Sequence, residues 1–189
     1  MSKSKIALII SALVSLTGCT GVASLHPLAL PNGKETVFDP ALLGTWEDAD
    51  SEDLRLTRFT VSRADSGYSY TMAAGSDELN GSMCLLKVGD RYLLDVYCPS
   101  TGGALPAHVF IRLQLEGDAA RVAVMDSDWL QERIKTRGEL RHELLTEGNQ
   151  RVVLTASSAE LRQYLLPYAA DDRSFGDECE LRRVAPKVK

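Results

Sequence analysis

From Met83 to Val124 the chain is a run of short apolar segments broken by two-residue turns, and this pattern restricts the fold more than any other feature. Met83–Val88 and Tyr92–Cys98 flank Gly89-Asp90. That pair signals a hairpin, because glycine and aspartate accept the backbone of a tight turn. Further on, Val109, Ile111, Leu113 and Leu115 alternate with Phe110, Arg112 and Gln114, and Gly117-Asp118 leads into Val122 and Val124. Upstream, Tyr68, Tyr70 and Met72 alternate with Ser69 and Thr71, the period of a half-buried strand. Leu54 to Arg63 is also rich in strand formers, but its apolar parity shifts between Leu56 and Phe59, which predicts a bulge. These segments follow one another without intervening helices, so the strands are antiparallel and sequential. The predicted fold is mainly β: an antiparallel meander that closes, or nearly closes, into a barrel.

Two short helices interrupt the pattern. Asp126 or Ser127 is placed to cap a helix carrying Trp129, Leu130 and Ile134 and ending near Gly138. After Val152-Val153-Leu154, Ser157 and Glu160 form a capping box ahead of a stripe of Leu161, Leu165 and Tyr168. Such a stripe is read as a face that docks on the barrel. Three spans follow: 1–18 as a leader, 19–36 as a tether broken by Pro27, Pro31, Asn32 and Gly33, and 37–185 as a single β domain.

The domain opens with a turn begun by Asp39-Pro40, followed by Leu43-Gly44-Thr45-Trp46-Glu47. This Gly-x-Trp entry into a first strand resembles the opening of lipocalins and other calycin barrels. In that family the glycine lets the backbone pass close to a neighbour while the indole plugs the closed end. An arginine of the final strand then lies over the indole in a cation–π contact. The resemblance implies Trp46 and Arg183 for this plug. Along Cys179–Val184 side chains alternate, so Arg183 faces inward if Leu181 does. The lipocalin triplet Thr-Asp-Tyr is absent.

The N-terminus carries Lys3 and Lys5, an apolar run from Ile6 to Leu16 broken only by Ser11 and Ser15, and then Leu16-Thr17-Gly18-Cys19. Over residues 1–19 this resembles a bacterial lipoprotein precursor with its lipobox. The resemblance implies cleavage between Gly18 and Cys19, with fatty acyl chains such as palmitate carried on Cys19. Several chains together make attachment effectively permanent. The apolar run is too short to span a bilayer, which takes ~20 residues. Thr20, where an inner-membrane protein of enteric type has aspartate, implies the outer membrane, facing the periplasm.

Without Lys3 and Lys5 the chain holds 19 basic against 26 acidic residues, a net charge of about −7, which speaks against nucleic acid as a partner. With Cys19 assigned to lipid, Cys84, Cys98 and Cys179 remain, an odd number that permits one bridge in an oxidising compartment. A two-residue turn sets Cys84 opposite Asp95, on the other face from Cys98. A three-residue turn still leaves the two cysteines diagonal, at ~7–8 Å. The reading therefore favours Cys98–Cys179, stapling the last strand to the sheet.

Groups for chemistry are few. His26 lies in the tether; His108 and His142 lie on separate elements without metal-ligand spacing, so no metal or cofactor is expected. His108 opens a strand beside the Pro99–Pro106 loop, where it is placed to border a pocket. Asp95 invites pairing with it, but by alternation it reads as facing solvent. No nucleophile elbow or phosphate loop occurs, so no enzyme is predicted.

Leu105-Pro106-Ala107-His108, Asp126-Ser127-Asp128-Trp129-Leu130 and Leu154-Thr155-Ala156-Ser157 with Glu160-Leu161 together resemble an uncharacterised family of small secreted bacterial proteins and lipoproteins, which brings no activity with it. Two functions stand level at this point. One is a membrane-anchored module holding a small apolar ligand, lined by Tyr68, Tyr70, Met72, Tyr92 and Leu94, with His108 at its rim. The other is an envelope interaction or structural adaptor whose barrel is filled by its own side chains, a state that large inward residues favour.

Overall fold

The computed structural model describes residues 21–30, 33–49, 58–74, 77–100, 105–138, 140–145 and 151–185. Its centre is a closed antiparallel barrel. The seven strands of the meander are β3 (Gly44–Asp48), β4 (Arg58–Ala64), β5 (Gly67–Ala74), β6 (Asp77–Val88), β7 (Arg91–Cys98), β8 (Ala107–Glu116) and β9 (Ala119–Val124). The last strand of the chain, β12 (Cys179–Arg183), inserts between β9 and β3 and closes the ring at eight strands. Closure leaves the ring without unpaired edges. The architecture is that of a lipocalin-like barrel.

Both turns expected between Met83 and Val124 form as two-residue connections. Val88 pairs with Arg91 across Gly89-Asp90, and Glu116 pairs with Ala119 across Gly117-Asp118. The first residue of each turn has φ of 62°, a conformation glycine adopts without penalty. The bulge expected between Leu56 and Phe59 falls largely in 50–57, outside the described residues.

Alternation along the strands fills the interior. Val61, Tyr68, Tyr70, Met72, Met83, Leu85, Leu94, Val96, Ile111, Leu113 and Val122 form one buried cluster. Their neighbours of opposite parity point outward, and over β6 to β9 these too are buried. Leu86, Leu93, Phe110 and Ala123 belong to a second apolar cluster on the outer wall.

That second cluster is covered by three pieces from outside the meander. Helix α1 (Ser127–Arg137) contributes Leu130 and Ile134, and helix α2 (Ser158–Leu165) contributes Leu161 and Leu165. Both helices start as their sequences dictate: the Asp126 side chain accepts from Trp129 N, and Ser157 with Glu160 completes a reciprocal capping box. Gly138 ends α1 in the left-handed conformation. The third piece is a side ribbon. In it β10 (His142–Leu145) pairs antiparallel with β11 (Arg151–Leu154), and β11 pairs parallel with β1 (Gly21–Ser24). β1 in turn meets β8 at Ser24 and His108. A two-residue β2 (Thr36–Val37) takes the side of β6 at Leu85 and Leu86, beyond the last β5 partner at Met83.

The tether reading of 19–36 is corrected by this arrangement. Val22, Ala23 and Ser24 are buried in β1, and Leu28 and Ala29 are buried beneath the loop that follows. The stretch is too short and too rich in proline to display a period, yet its apolar residues complete a core supplied mostly from elsewhere. No helix among the described residues is long and apolar enough to cross a membrane.

Candidate functional site: the plugged end and the outer wall

At the barrel end marked by the Gly117-Asp118 turn, Trp46 is fully buried and its indole N–H donates to Leu42 O at 3.0 Å. Leu42 ends a single 3-10 turn, Pro40–Leu42, which lies across the opening. Arg183 pairs with Trp46 in the β12–β3 ladder, and its guanidinium carbon stands 4.3 Å from the indole centroid. The same guanidinium donates to Leu43 O, Ala41 O and Asp118 Oδ1, so one side chain ties the turn, the plug and the β8–β9 hairpin together. Gly44 is required here: a Cβ on it would lie 2.8 Å from Arg183 Nη1, and its φ is 124°. Tyr68 closes the rim, its hydroxyl donating to Asp39 O at 3.1 Å and accepting from Asp39 N at 2.6 Å. Burial raises its pKa, with the backbone bond opposing. Tyr92 sits at the same mouth, its hydroxyl 3.3 Å from Asp39 Oδ2.

Deeper in, Tyr70, Met72 and Leu94 are buried among their neighbours. The Tyr70 ring passes over Gly81, where a Cβ would fall 2.5 Å from the phenol oxygen, and its hydroxyl donates to Tyr97 O at 3.0 Å. Burial, then the neighbouring Cys98, pushes the Tyr70 pKa far up, so the phenol stays a hydrogen-bond donor. The five residues read from the sequence as ligand liners are thus brought together, and each that is fully buried already has protein against it.

Cys98 and Cys179 form no disulfide. The register explains this correction: Cys179 pairs with Val122, Val122 with Leu113, and Leu113 with Tyr92. Cys98 lies six residues further along β7, about 20 Å of strand at ~3.3 Å per residue. A bridge needs Cα atoms ~5.5 Å apart. Burial raises the Cys98 pKa despite a bond from Tyr70, and raises that of Cys84 with help from Asp95, which disfavours the thiolate at both.

The outer wall holds the polar group that alternation misassigned. Asp95 does point away from the interior, but it is 3% exposed, because the segment after β1 lies over it. Its Oδ2 accepts from Leu28 N at 2.6 Å and Ala29 N at 3.0 Å, and its Oδ1 accepts from His108 Nδ1 at 2.6 Å. His108 pairs with Tyr97, packs on its ring at 5.2 Å, and faces outward like Asp95. It therefore does not border the barrel interior, which corrects its reading as a ligand-rim residue. Ser24, opposite His108, gives its hydroxyl to His26 O at 2.7 Å and is not aimed at the imidazole. The group is a clamp on the N-terminal segment, with both oxygens of Asp95 engaged.

A second buried charge on the same wall was also not read from the sequence. Arg112 pairs with Asp172 at 2.6 Å and Glu178 at 3.0 Å and lies 5.0 Å from the Phe175 ring, pinning the approach to β12. Its strand parity marked it as outward but gave no sign of what would cover it. Among the described residues no group of three His, Cys, Asp or Glu side chains converges for a metal. Gly18 and Cys19, the cleavage and lipidation positions, lie outside the described residues. No protein-family model, no curated protein and no solved structure matches the chain.

Proposed function

We propose that this chain is a lipid-anchored lipoprotein of the bacterial envelope, held at the outer membrane facing the periplasm, whose barrel is a filled scaffold that presents its outer surface and loops to a protein partner. The observation that carries the scaffold reading is the interior itself. Tyr70 reaches across Gly81 to Tyr97 O, and Trp46, Met72, Met83, Leu85 and Leu94 are each buried against other protein side chains. Large side chains that meet and bond one another across an eight-stranded barrel use the volume a ligand would take. The anchoring reading rests on the resemblance of residues 1–19 to lipoprotein precursors, with Cys19 as the acylated residue, and the unassigned lipoprotein family resembled by the mature chain is compatible with both.

Native mass spectrometry on protein extracted from its own envelope tests the scaffold. Co-purification of a second polypeptide, with no retained lipid-sized molecule, is the expected result. A retained apolar molecule of a few hundred daltons would overturn it in favour of a binding cup. Replacing Cys19 with serine is expected to leave an uncut precursor without incorporated fatty acid; labelled fatty acid in that variant would refute the anchor.

A further inference from the structure

Leu130 and Ile134 seat helix α1 on the outer wall, which leaves the neighbouring row of Trp129 and Arg133, one turn apart, at its margin with the segment after α2. There Tyr168, at the end of the 3-10 turn Leu166–Tyr168, meets Trp129 edge to face at 5.1 Å. The Arg133 guanidinium carbon lies 4.8 Å from the Tyr168 centroid and 5.9 Å from that of Trp129. Two aromatic rings thus hold a cation that no acceptor among the described residues binds. Its Nε is buried without a partner, and the Nη pair is the part left open. Arg112, Arg162 and Arg183 differ, since each gives its guanidinium to a carboxylate of this chain. The acid close to Arg133 is already spent. The Asp171 pKa is lowered by hydrogen bonds from Arg173 first and by the Arg133 charge last. Arg173 Nε and Nη2 take its two oxygens at 3.0 and 2.9 Å.

We infer that the Nη pair of Arg133 receives a carboxylate of the protein partner, an acidic side chain or a chain terminus, with the partner's flanking apolar atoms seated on Trp129 and Tyr168. The inference rests on the scaffold reading above and adds to it the place and the chemistry of the contact. A guanidinium drawn partly out of water and left unpaired costs stability, and that cost is recovered when an anion arrives. Stacking on the rings fixes the guanidinium plane, so its two Nη donors form a fork that the oxygens of a planar carboxylate match. Arginine, tryptophan and tyrosine are also the residues in which binding energy concentrates at protein interfaces. A carboxylate fits better than a phosphate dianion, because one guanidinium balances one negative charge and the Asp171 carboxylate already lies close.

Isotope-labelled protein purified from its own envelope is titrated with the peptide acetyl-Leu-Glu-Leu-amide and with its glutamine counterpart, while nuclear magnetic resonance follows the Arg133 Nε–H and Trp129 indole N–H signals. The glutamate peptide is expected to shift both signals saturably and to bind at least about ten-fold tighter than the glutamine peptide, the scale of a hydrogen bond to a charged group. Arg133→Lys keeps the charge and loses the planar fork, so the glutamate peptide should bind it about ten-fold more weakly. No saturable shift, equal binding of the two peptides, or undiminished binding to Arg133→Lys overturns the proposal, as does tighter binding of inorganic phosphate at matched ionic strength. The comparison of the two peptides uses the native sequence and does not depend on a variant folding. For the partner itself, a photo-crosslinking amino acid is placed at Glu132 and, separately, at Ser62 on β4, outside the wall that the helices cover. A protein adduct at Glu132 that disappears with Arg133→Gln is expected. An adduct at Ser62 alone overturns this site and leaves the scaffold standing. A retained apolar molecule with no adduct at either position removes the scaffold, and the site with it.

Discussion

The two sides of the β6–β9 wall are built by different means. The inner side is packed by residues two apart on consecutive strands, each hairpin delivering its share next to the last. On the outer side the strands supply only a floor, and the cover comes from residues 21–30, both helices and β11. Inner contacts are nearly all apolar and self-sufficient. The outer cover is pinned by buried charge, Asp95 under the N-terminal segment and Arg112 under the segment before β12. A meander therefore secures its interior mainly by hydrophobic burial, with neutral hydrogen bonds from Trp46 and Tyr70 inside it, whereas segments far apart in sequence are fixed where they land by buried charge.

The contrast makes Trp46→Ala the largest expected loss, about 4 kcal/mol of global stability as for a deleted core aromatic, read by urea unfolding with Trp129 as the remaining fluorophore. Every protected amide should lose protection together. Asp95→Ala should cost less, about 3 kcal/mol, because each buried amide left without an acceptor costs roughly 1 to 3. Its signature is local: faster hydrogen exchange at Val22–Ala29 while β4 and β5 stay protected. Uniform loss across the barrel in that variant would mean the two sides are not separable. Arg183→Met is expected to remove about 1 to 2 kcal/mol, the scale of the cation–π contact with Trp46, without changing exchange on the outer wall.

Acid should touch the outer cover first. Hydrogen bonds from the Ser157 hydroxyl, then Arg141, then the Ser157 amide lower the Glu160 pKa from 4.5 to about 2. A carboxyl with a lowered folded-state pKa stabilises fully above its ordinary value, and that contribution disappears as pH falls from about 4.5 through about 2. Chemical shifts of the α2 amides should follow this titration while those of β4 and β5 do not, and Glu160→Gln should abolish it. The smallest expected effect is none: a reductant should leave the unfolding midpoint unchanged, since Cys98 and Cys179 are too far apart in register to bridge.

The same division decides what could be read from the amino acids. Alternation and the Gly-Asp turns place the inner core, the Ser157–Glu160 box starts α2, and Gly44 with Trp46 points to Arg183 as the lid of the barrel. The first two are local patterns within one element, and the third is what the resemblance of Gly44-Thr45-Trp46 to the calycin opening implies. Asp95 was misread because alternation states which face a side chain takes but not what lies on that face. β1 and β10 are four residues each, too short to show a period, and their partners are remote or at an edge. The apolar run Leu28-Ala29-Leu30 inside a proline-bounded stretch was the one available sign that this segment is buried.

The place of β1 also sets an order of events. It is the first described strand to leave the ribosome, yet its ladder partners are His108 and Arg151–Leu154, from more than 80 residues later to near the end of the chain. Closing loops of that length is slow compared with forming hairpins. The segment Gly21–Ser24 therefore stays without its sheet partners through translation and early folding and is drawn into the sheet only afterwards.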